Sequence, residues 1–224
     1  MRTPPVQPSD TRGKILQAAL LLFQHKGFEK TTMRDIAADA SVAVGAAYYH
    51  FKNKDDLVLA FYAQTGAEAA QANLEVIAQT KDFKTRFRAI LDFKLQQLLS
   101  YRTLACVLAR NAAEIDNPLS PFSPQTKAIR DDAIRLIAQA MTGSNLKVAK
   151  ELLPELSKLL WFYQMGLIFF WSQDASEQQK RTQQLMDQSL SVLLRLMRLS
   201  TLPLMGTVNR SVVRILRLIE QIRT

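Results

Sequence analysis

The chain has a single cysteine, Cys106. One thiol excludes an intrachain disulfide framework and fits a reducing compartment. Its two histidines are His25 and His50, and neither has a second ligand at metal-binding spacing, so no metal site is expected. Glycine is scarce, with 7 residues in 224. No phosphate-cradling glycine loop and no G-x-S-x-G elbow occurs. These shortages point away from an enzyme and from a bound cofactor; the scattered Asp and Glu are ordinary solvated helix faces, and Cys106 is read as core filler. Period-two alternation is missing, which excludes a β-rich fold. The most apolar segment, Leu159 to Trp171, is too short to cross a bilayer. The start, MRTPPVQPSD, lacks the apolar core of a secretory signal. A cytoplasmic setting is expected, with membrane association unlikely on these grounds.

What is present favours helices. The chain is 48% apolar, enough for one or two domains with a sizeable core, and it is rich in Leu, Ala, Gln, Lys and Arg, good helix formers. The net charge of +9 suits an anionic partner. More than half of it lies in the C-terminal stretch, where Arg195, Arg198, Arg210, Arg214, Arg217 and Arg223 face Glu220 alone. The charge therefore does not single out an N-terminal nucleic-acid domain, and it poses a separate question about the tail.

The organising stretch is Thr31 to Phe51, TTMRDIAADASVAVGAAYYHF. Thr32 can cap a helix, with Asp35 three residues on as its capping-box partner. Ile36, Ala37 and Ala40 share one face, and Ala37 is small where two helices would approach closely. Ser41-Val42-Ala43 breaks the pattern. Val44 to Phe51 begins a second helix rich in tyrosine. Two short helices joined by a tight turn form a helix-turn-helix, which lays its second helix in the DNA major groove.

Around this stretch stand Thr11-Arg12-x-x-Ile15-Leu16-x-Ala18-Ala19, Leu22-Phe23, Lys26-Gly27-Phe28, Thr31-Thr32-x-Arg34-Asp35-Ile36-Ala37, Val42, Gly45, Tyr48-Tyr49-His50-Phe51-Lys52 and Lys54-x-Asp56-Leu57. In order and spacing they resemble the DNA-binding domain of the tetracycline-repressor (TetR) family of bacterial regulators. The resemblance implies that Tyr48, Tyr49, His50 and Lys54 contact DNA backbone or bases. Thr32 and Arg34, on the first turn of their helix, are placed to reach phosphates, and Arg12, with Arg2 in the proline-bearing arm 1–9, is placed to touch phosphate or the minor groove. Four positions depart from the family pattern. Ser41 stands where Gly is usual, at a cost of roughly 1 kcal/mol if the backbone there is left-handed. Ala43 replaces a usual Ser. Val44 and Ala46 replace residues that are usually polar, so thymine-methyl contacts beside Gly45, Tyr49 and DNA shape are expected to carry base discrimination.

Periodicity predicts further helices over 10–26, 54–80, from 82, 103–114, 127–141, 152–172, 177–199 and 207–223. Gly27 is placed for a left-handed cap, and Gly66 could bend the long fourth helix. The eighth helix is apolar all round, so it needs cover on more than one side. With the next helix it would pair against a second copy, as the resemblance also implies; an unusually apolar single-chain core is the alternative. The tail alternates an apolar stripe with Arg210, Arg214 and Arg217. It is read as an extra helix on its own or its partner's bundle, beyond the usual end of the family fold, although basic amphipathic helices also bind membranes or acidic partners.

The expected protein is all-α: a flexible arm (1–9), a three-helix helix-turn-helix domain (10–56), a helical effector-binding and dimerisation domain (57–200) and a basic amphipathic C-terminal helix (201–224). It would be a homodimeric regulator, most readily a repressor, on a palindromic operator in double-stranded DNA, released by a small, largely apolar effector. Tyr101, Asn111, Trp161, Met165 and Phe169 are the candidate effector residues. The alternatives are a DNA-binding regulator with no effector, and an interaction or membrane module acting through the tail.

Overall fold

A computed structural model describes residues 11–111, 114 and 116–221. The described residues form ten α-helices and no strand. They are α1 (Thr11–His25), α2 (Met33–Asp39), α3 (Val44–His50), α4 (Lys54–Gln79), α5 (Phe83–Leu99), α6 (Arg102–Asn111), α7 (Lys127–Met141), α8 (Leu153–Gln173), α9 (Lys180–Leu199) and α10 (Gly206–Gln221). The chain separates into two compact units, Met1–Ala67 with Gln97–Arg130, and Glu68–Gln96 with Asp131–Thr224. The expected arm at 1–9, with Arg2, and Arg223 at the other end lie outside the described residues.

The first unit is built on α1. Ile15, Ala19 and Phe23 are fully buried, one stripe at helical spacing, against Ile36, Ala37 and Ala47. Ala37 of α2 and Ala47 of α3 have no exposed surface and belong to the same buried cluster. Gly27 adopts φ +88 and ends α1 as its lack of a Cβ allows. Phe28 folds back until its ring centroid lies 5.0 Å from that of Phe23. Leu104 and Leu108 of α6, with Leu119 beyond it, complete the same cluster, and the Gln24 side chain donates to the Ser100 carbonyl.

The second unit is organised by a buried arginine. Arg86 is 6% exposed. Its Nε donates to the Thr80 carbonyl at 2.6 Å, and its Nη1 donates to the carbonyls of Ala140 at 3.0 Å and Thr142 at 2.8 Å. One guanidinium thus satisfies carbonyls at the C-terminal ends of two helices, which would otherwise be orphaned. Arg88 ties α5 to α9 through Gln183 and Asp187. Helices α8 and α9 pack on each other, with the Tyr163 and Ser189 hydroxyls 2.8 Å apart.

α4 runs through Gly66 as one 26-residue helix. One expected boundary is corrected. The ninth helix starts at Lys180, after a short 3-10 turn at Glu177–Gln179 in which Gln178 and Gln179 have φ of 51 and 53. The cause is Asp174, whose carboxylate accepts from Ser176 N and Oγ and from Thr182 N and Oγ1. It pins both sides of the turn and forces the two glutamines left-handed, at roughly 1 kcal/mol each. Burial opposes ionisation of Asp174, but those four bonds outweigh it and hold its carboxyl well below the usual range. The tail helix, finally, is tied to its own bundle. The Asn209 side chain, 4% exposed, donates to the Ser200 carbonyl at 2.8 Å, and Arg217 Nε lies 4.0 Å from Glu155 on α8.

Candidate functional site

Helix α2 begins with the expected box. Asp35 N donates to Thr32 Oγ1 at 3.1 Å, and Thr32 N donates to Asp35 Oδ2 at 2.8 Å. The Thr32 hydroxyl donates to the same carboxylate at 2.8 Å, so its proton is already engaged. Lys26 Nζ approaches Asp35 to 2.5 Å. The Lys26 hydrogen bond, then those of Thr32, hold the Asp35 carboxyl down at about 2. Helix α2 ends in a Schellman motif: Val42 N donates to Ala37 O and Ser41 N to Ala38 O. Ser41 occupies the left-handed position, with φ 55. The departure from glycine thus leaves the turn geometry intact and carries its cost in backbone strain.

That turn sets the aim of α3. With Ala47 buried, the opposite side must face out. Val44 is 40% exposed, Tyr48 49% and Tyr49 86%. Gly45 is exposed, and Ala46 and His50 are half-buried. The Tyr49 and His50 rings meet edge to face at 5.1 Å. Phe51 is core, 2% exposed. Arg12 is exposed with its guanidinium 4.9 Å over the Phe51 ring, and Arg34 is exposed on the first turn of α2. The structure therefore places Arg12, Thr32, Arg34, Val44, Gly45, Ala46, Tyr48, Tyr49 and His50 in the first unit, most of them open to solvent. Lys54 is held more tightly. Its Nζ donates to the carbonyls of Phe28 at 2.6 Å and Glu29 at 3.2 Å, and sits 4.6 Å over the Phe28 ring. Two of its three protons serve the fold, leaving one for a phosphate. Lys52, adjacent and exposed, was passed over as a site residue in the sequence; its position one residue past the Tyr-His-Phe run was the available signal.

A cavity of about 580 Å³ in the same unit is lined by Phe28, Glu29, Asp55, Val107, Leu108, Glu114, Asp116, Asn117, Pro118 and Leu119. Burial raises the Asp55 carboxyl, Lys54 opposes it, and the charges of Asp56 and Glu29 add to it. Its acids repel phosphate, so it does not extend the DNA-facing surface.

The candidate effector residues are Tyr101, just before α6, Asn111 on α6, and Trp161, Met165 and Phe169 on α8. Tyr101 belongs to the first unit, its ring 4.7 Å from Phe61. The Asn111 side chain lies outside the described residues. On α8, Trp161 is 3% exposed, Met165 half-buried and Phe169 56% exposed. In α8, Gln164, Leu167 and Ile168 lie against Leu91, Lys94 and Leu95 of α5. The opposite stripe of α8 leaves Phe162, Phe169 and Phe170 exposed, and α9 leaves Leu185, Val192, Leu196 and Leu199 exposed at helical spacing.

An all-helical chain with a capped helix, a left-handed turn and an outward aromatic helix is a helix-turn-helix protein. Residues 15–61 match the family model described as bacterial regulatory proteins, tetR family, and residues 86–213 match the one described as tetracyclin repressor-like, C-terminal domain. The chain belongs to the TetR family. The second match ends inside α10, so the family domain reaches further into the tail than the sequence alone implied.

Among curated relatives, the HTH-type transcriptional repressor KstR2 of Mycolicibacterium smegmatis is 43% identical over 54 residues, 24% of this chain and 26% of that one. The alignment thus spans about a quarter of the relative's length. Among solved structures, the fatty acid degradation regulator FadR of Bacillus halodurans superposes with a TM-score of 0.64 at 16% identity, over 87% of this chain and 97% of that chain. FadR of Bacillus subtilis, in complex with stearoyl-CoA, gives 0.63 at 16% identity, over 81% and 97%. These two establish the likeness of fold. Among the described residues no helix is long and apolar enough to cross a membrane.

Proposed function

We propose that this chain is a homodimeric, cytoplasmic transcriptional repressor that binds a palindromic operator in double-stranded DNA and leaves it when a small, largely apolar effector binds. The observation that carries the reading is α3: Ala47 is locked in the core while Val44, Tyr48 and Tyr49 stand out beside it. A helix with one closed and one open face, held by a capped neighbour, is what a major groove accepts. Arg12, Arg34, Lys52 and Lys54 take phosphates, Thr32 does so at the cost of its bond to Asp35, and Val44, Gly45, Ala46, Tyr48, Tyr49 and His50 face the bases.

We divide the function at 10–56 for DNA, 57–200 for effector and dimerisation, and 201–224 for the tail. Exposed phenylalanines on α8 and leucines on α9 support pairing with a second copy, because a contiguous apolar face of this kind marks an interface. Two copies also supply two reading heads for a two-fold site. An apolar effector accords with the stearoyl-CoA held by the Bacillus subtilis neighbour. The reading assigns no catalytic role, in keeping with a regulatory family. Footprinting on the DNA upstream of its own gene, followed by a metabolite screen for release, tests it. Protection of a palindrome supports it; failure to retard any palindromic fragment at low salt would end it.

A further inference from the structure

The tail helix α10 turns two stripes to solvent. Asn209 is buried, and Val212 and Val213 are half-buried, so that side lies on its own bundle. Leu204, in the turn before the helix, is 94% exposed, Val208 49% and Ile215 57%. At i, i+4 and i+11 they fall on one side. Arg210, Arg214 and Arg217, at i, i+4 and i+7, are exposed in the next stripe round. Arg210 donates to Thr207 within the helix at 3.3 Å, and Arg217 lies 4.0 Å from Glu155. Arg195 and Arg198 are exposed at the end of α9, beside the exposed Leu196 and Leu199. No acidic residue occurs between Asp187 and Glu220, so this segment does not balance its own charge.

We propose that this face seats on an anionic phospholipid bilayer: Leu204, Val208 and Ile215 enter the boundary between head groups and hydrocarbon, and Arg210, Arg214 and Arg217 take lipid phosphates. Charge and shape select this occupant. An apolar stripe beside a basic one is matched by a surface that is hydrocarbon below and negative above. Arginine stems lie along apolar surface while their heads stay with the phosphates. A second copy fits worse, because a two-fold contact would set these arginines against themselves. Duplex DNA would take the arginines and leave the apolar stripe in water. An acidic partner helix would need a groove, whereas these apolar side chains stand out on a single helix. No spanning segment is required, since such a helix lies in the plane of the surface. The face shares no residue with α3, so seating on a membrane is separate from reading an operator.

The test is sedimentation of the full chain with vesicles of phosphatidylcholine alone, or with about one-third phosphatidylglycerol, at about 0.1 M salt. The mixed vesicles are expected to bind at least about tenfold more tightly, and the difference to shrink as salt rises. Each arginine contributes about fivefold, so the double variant Arg210→Gln/Arg214→Gln is expected to weaken binding about 25-fold. Leu204→Ser is expected to weaken it about tenfold through lost burial. Arg135→Gln removes a charge from α7, where it pairs with Asp132, and is expected to change affinity less than about twofold. All four side chains are exposed, so melting temperatures stay at the wild-type value. Equal binding to both vesicles, no binding, or an affinity untouched in the double variant or in Leu204→Ser would overturn the seating. So would a double variant that instead weakens operator retardation, or raises the dimer dissociation constant, while vesicle binding holds; the face would then belong to DNA or to a second copy. Operator retardation by the wild type is read separately, so a chain that binds vesicles and never DNA would refute the regulatory reading and leave the lipid seat standing.

Discussion

Phe169→Ser tests the proposed pairing of two copies. Phe169 is 56% exposed on the outer stripe of α8. An aromatic side chain buries about 200 Å² when covered, so a second copy can cover roughly 110 Å² more at this position. At about 25 cal/mol per Å² that amounts to roughly 3 kcal/mol in each protomer. A two-fold interface uses the same patch twice, so the substitution removes up to about 5 kcal/mol from association. Imperfect conversion of area into affinity lowers this figure, and a rise in the dimer dissociation constant of two to three orders of magnitude is expected. Sedimentation velocity over a concentration series reads that shift directly. The residue is exposed within one chain, so the melting temperature of the dissociated protomer stays put. Leu21→Ser is the control: Leu21 is 51% exposed on α1, in the first unit, and its removal leaves the dimer intact. A dissociation constant that moves less than about tenfold in Phe169→Ser, or as far in Leu21→Ser, refutes the placement of the interface.

Four further outcomes follow from the same geometry. Ser41→Gly relieves a left-handed serine and is expected to add about 1 kcal/mol, raising the melting temperature by about 2–4 °C; a lower melting temperature would show that the serine is favoured there. Arg86→Leu strands three helix-end carbonyls, that of Ala140 buried, and is expected to cost about 2–4 kcal/mol by urea unfolding, whereas a loss under about 1 kcal/mol would mean water replaces the guanidinium. Asp35 is depressed in the fold to about 2, so its contribution is complete above the unfolded value of about 3.9 and lost as pH falls through about 2. Melting temperature followed from pH 6 to pH 2 is expected to show less of this acid loss in Asp35→Asn, and an identical profile counts against the box. Lys54→Ala is expected to lower the melting temperature and reduce the salt slope of binding by about one; a slope unchanged from wild type would leave Lys54 as a purely structural tie.

The helix-turn-helix unit was legible because its contacts are local. The capping box of Thr32 and Asp35 and the left-handed Gly27 and Ser41 all involve residues a few positions apart, where spacing alone states the geometry. Helix ends were less so. Asp174 shifts the start of α9 by reaching Thr182 across a turn, and periodicity does not register a carboxylate that gathers four donors. Burial along α8 was less legible still. Trp161, Met165 and Phe169 are all bulky, yet one is buried, one half-buried and one exposed, because a helix shows all its sides in sequence and only its neighbour decides which one closes.

By itself, then, the order of residues determined the all-helical class, the helix-turn-helix and the need of α8 for cover on two sides, because short-range hydrogen bonding and 3.6-residue periodicity are properties of the chain alone. Tertiary packing decided the rest. It spent two protons of Lys54 on backbone carbonyls, sank Arg86 into the ends of two helices and tied α10 down through Asn209. Each of these depends on which distant segment lies opposite, and that is fixed only when burial of the whole apolar surface chooses one arrangement.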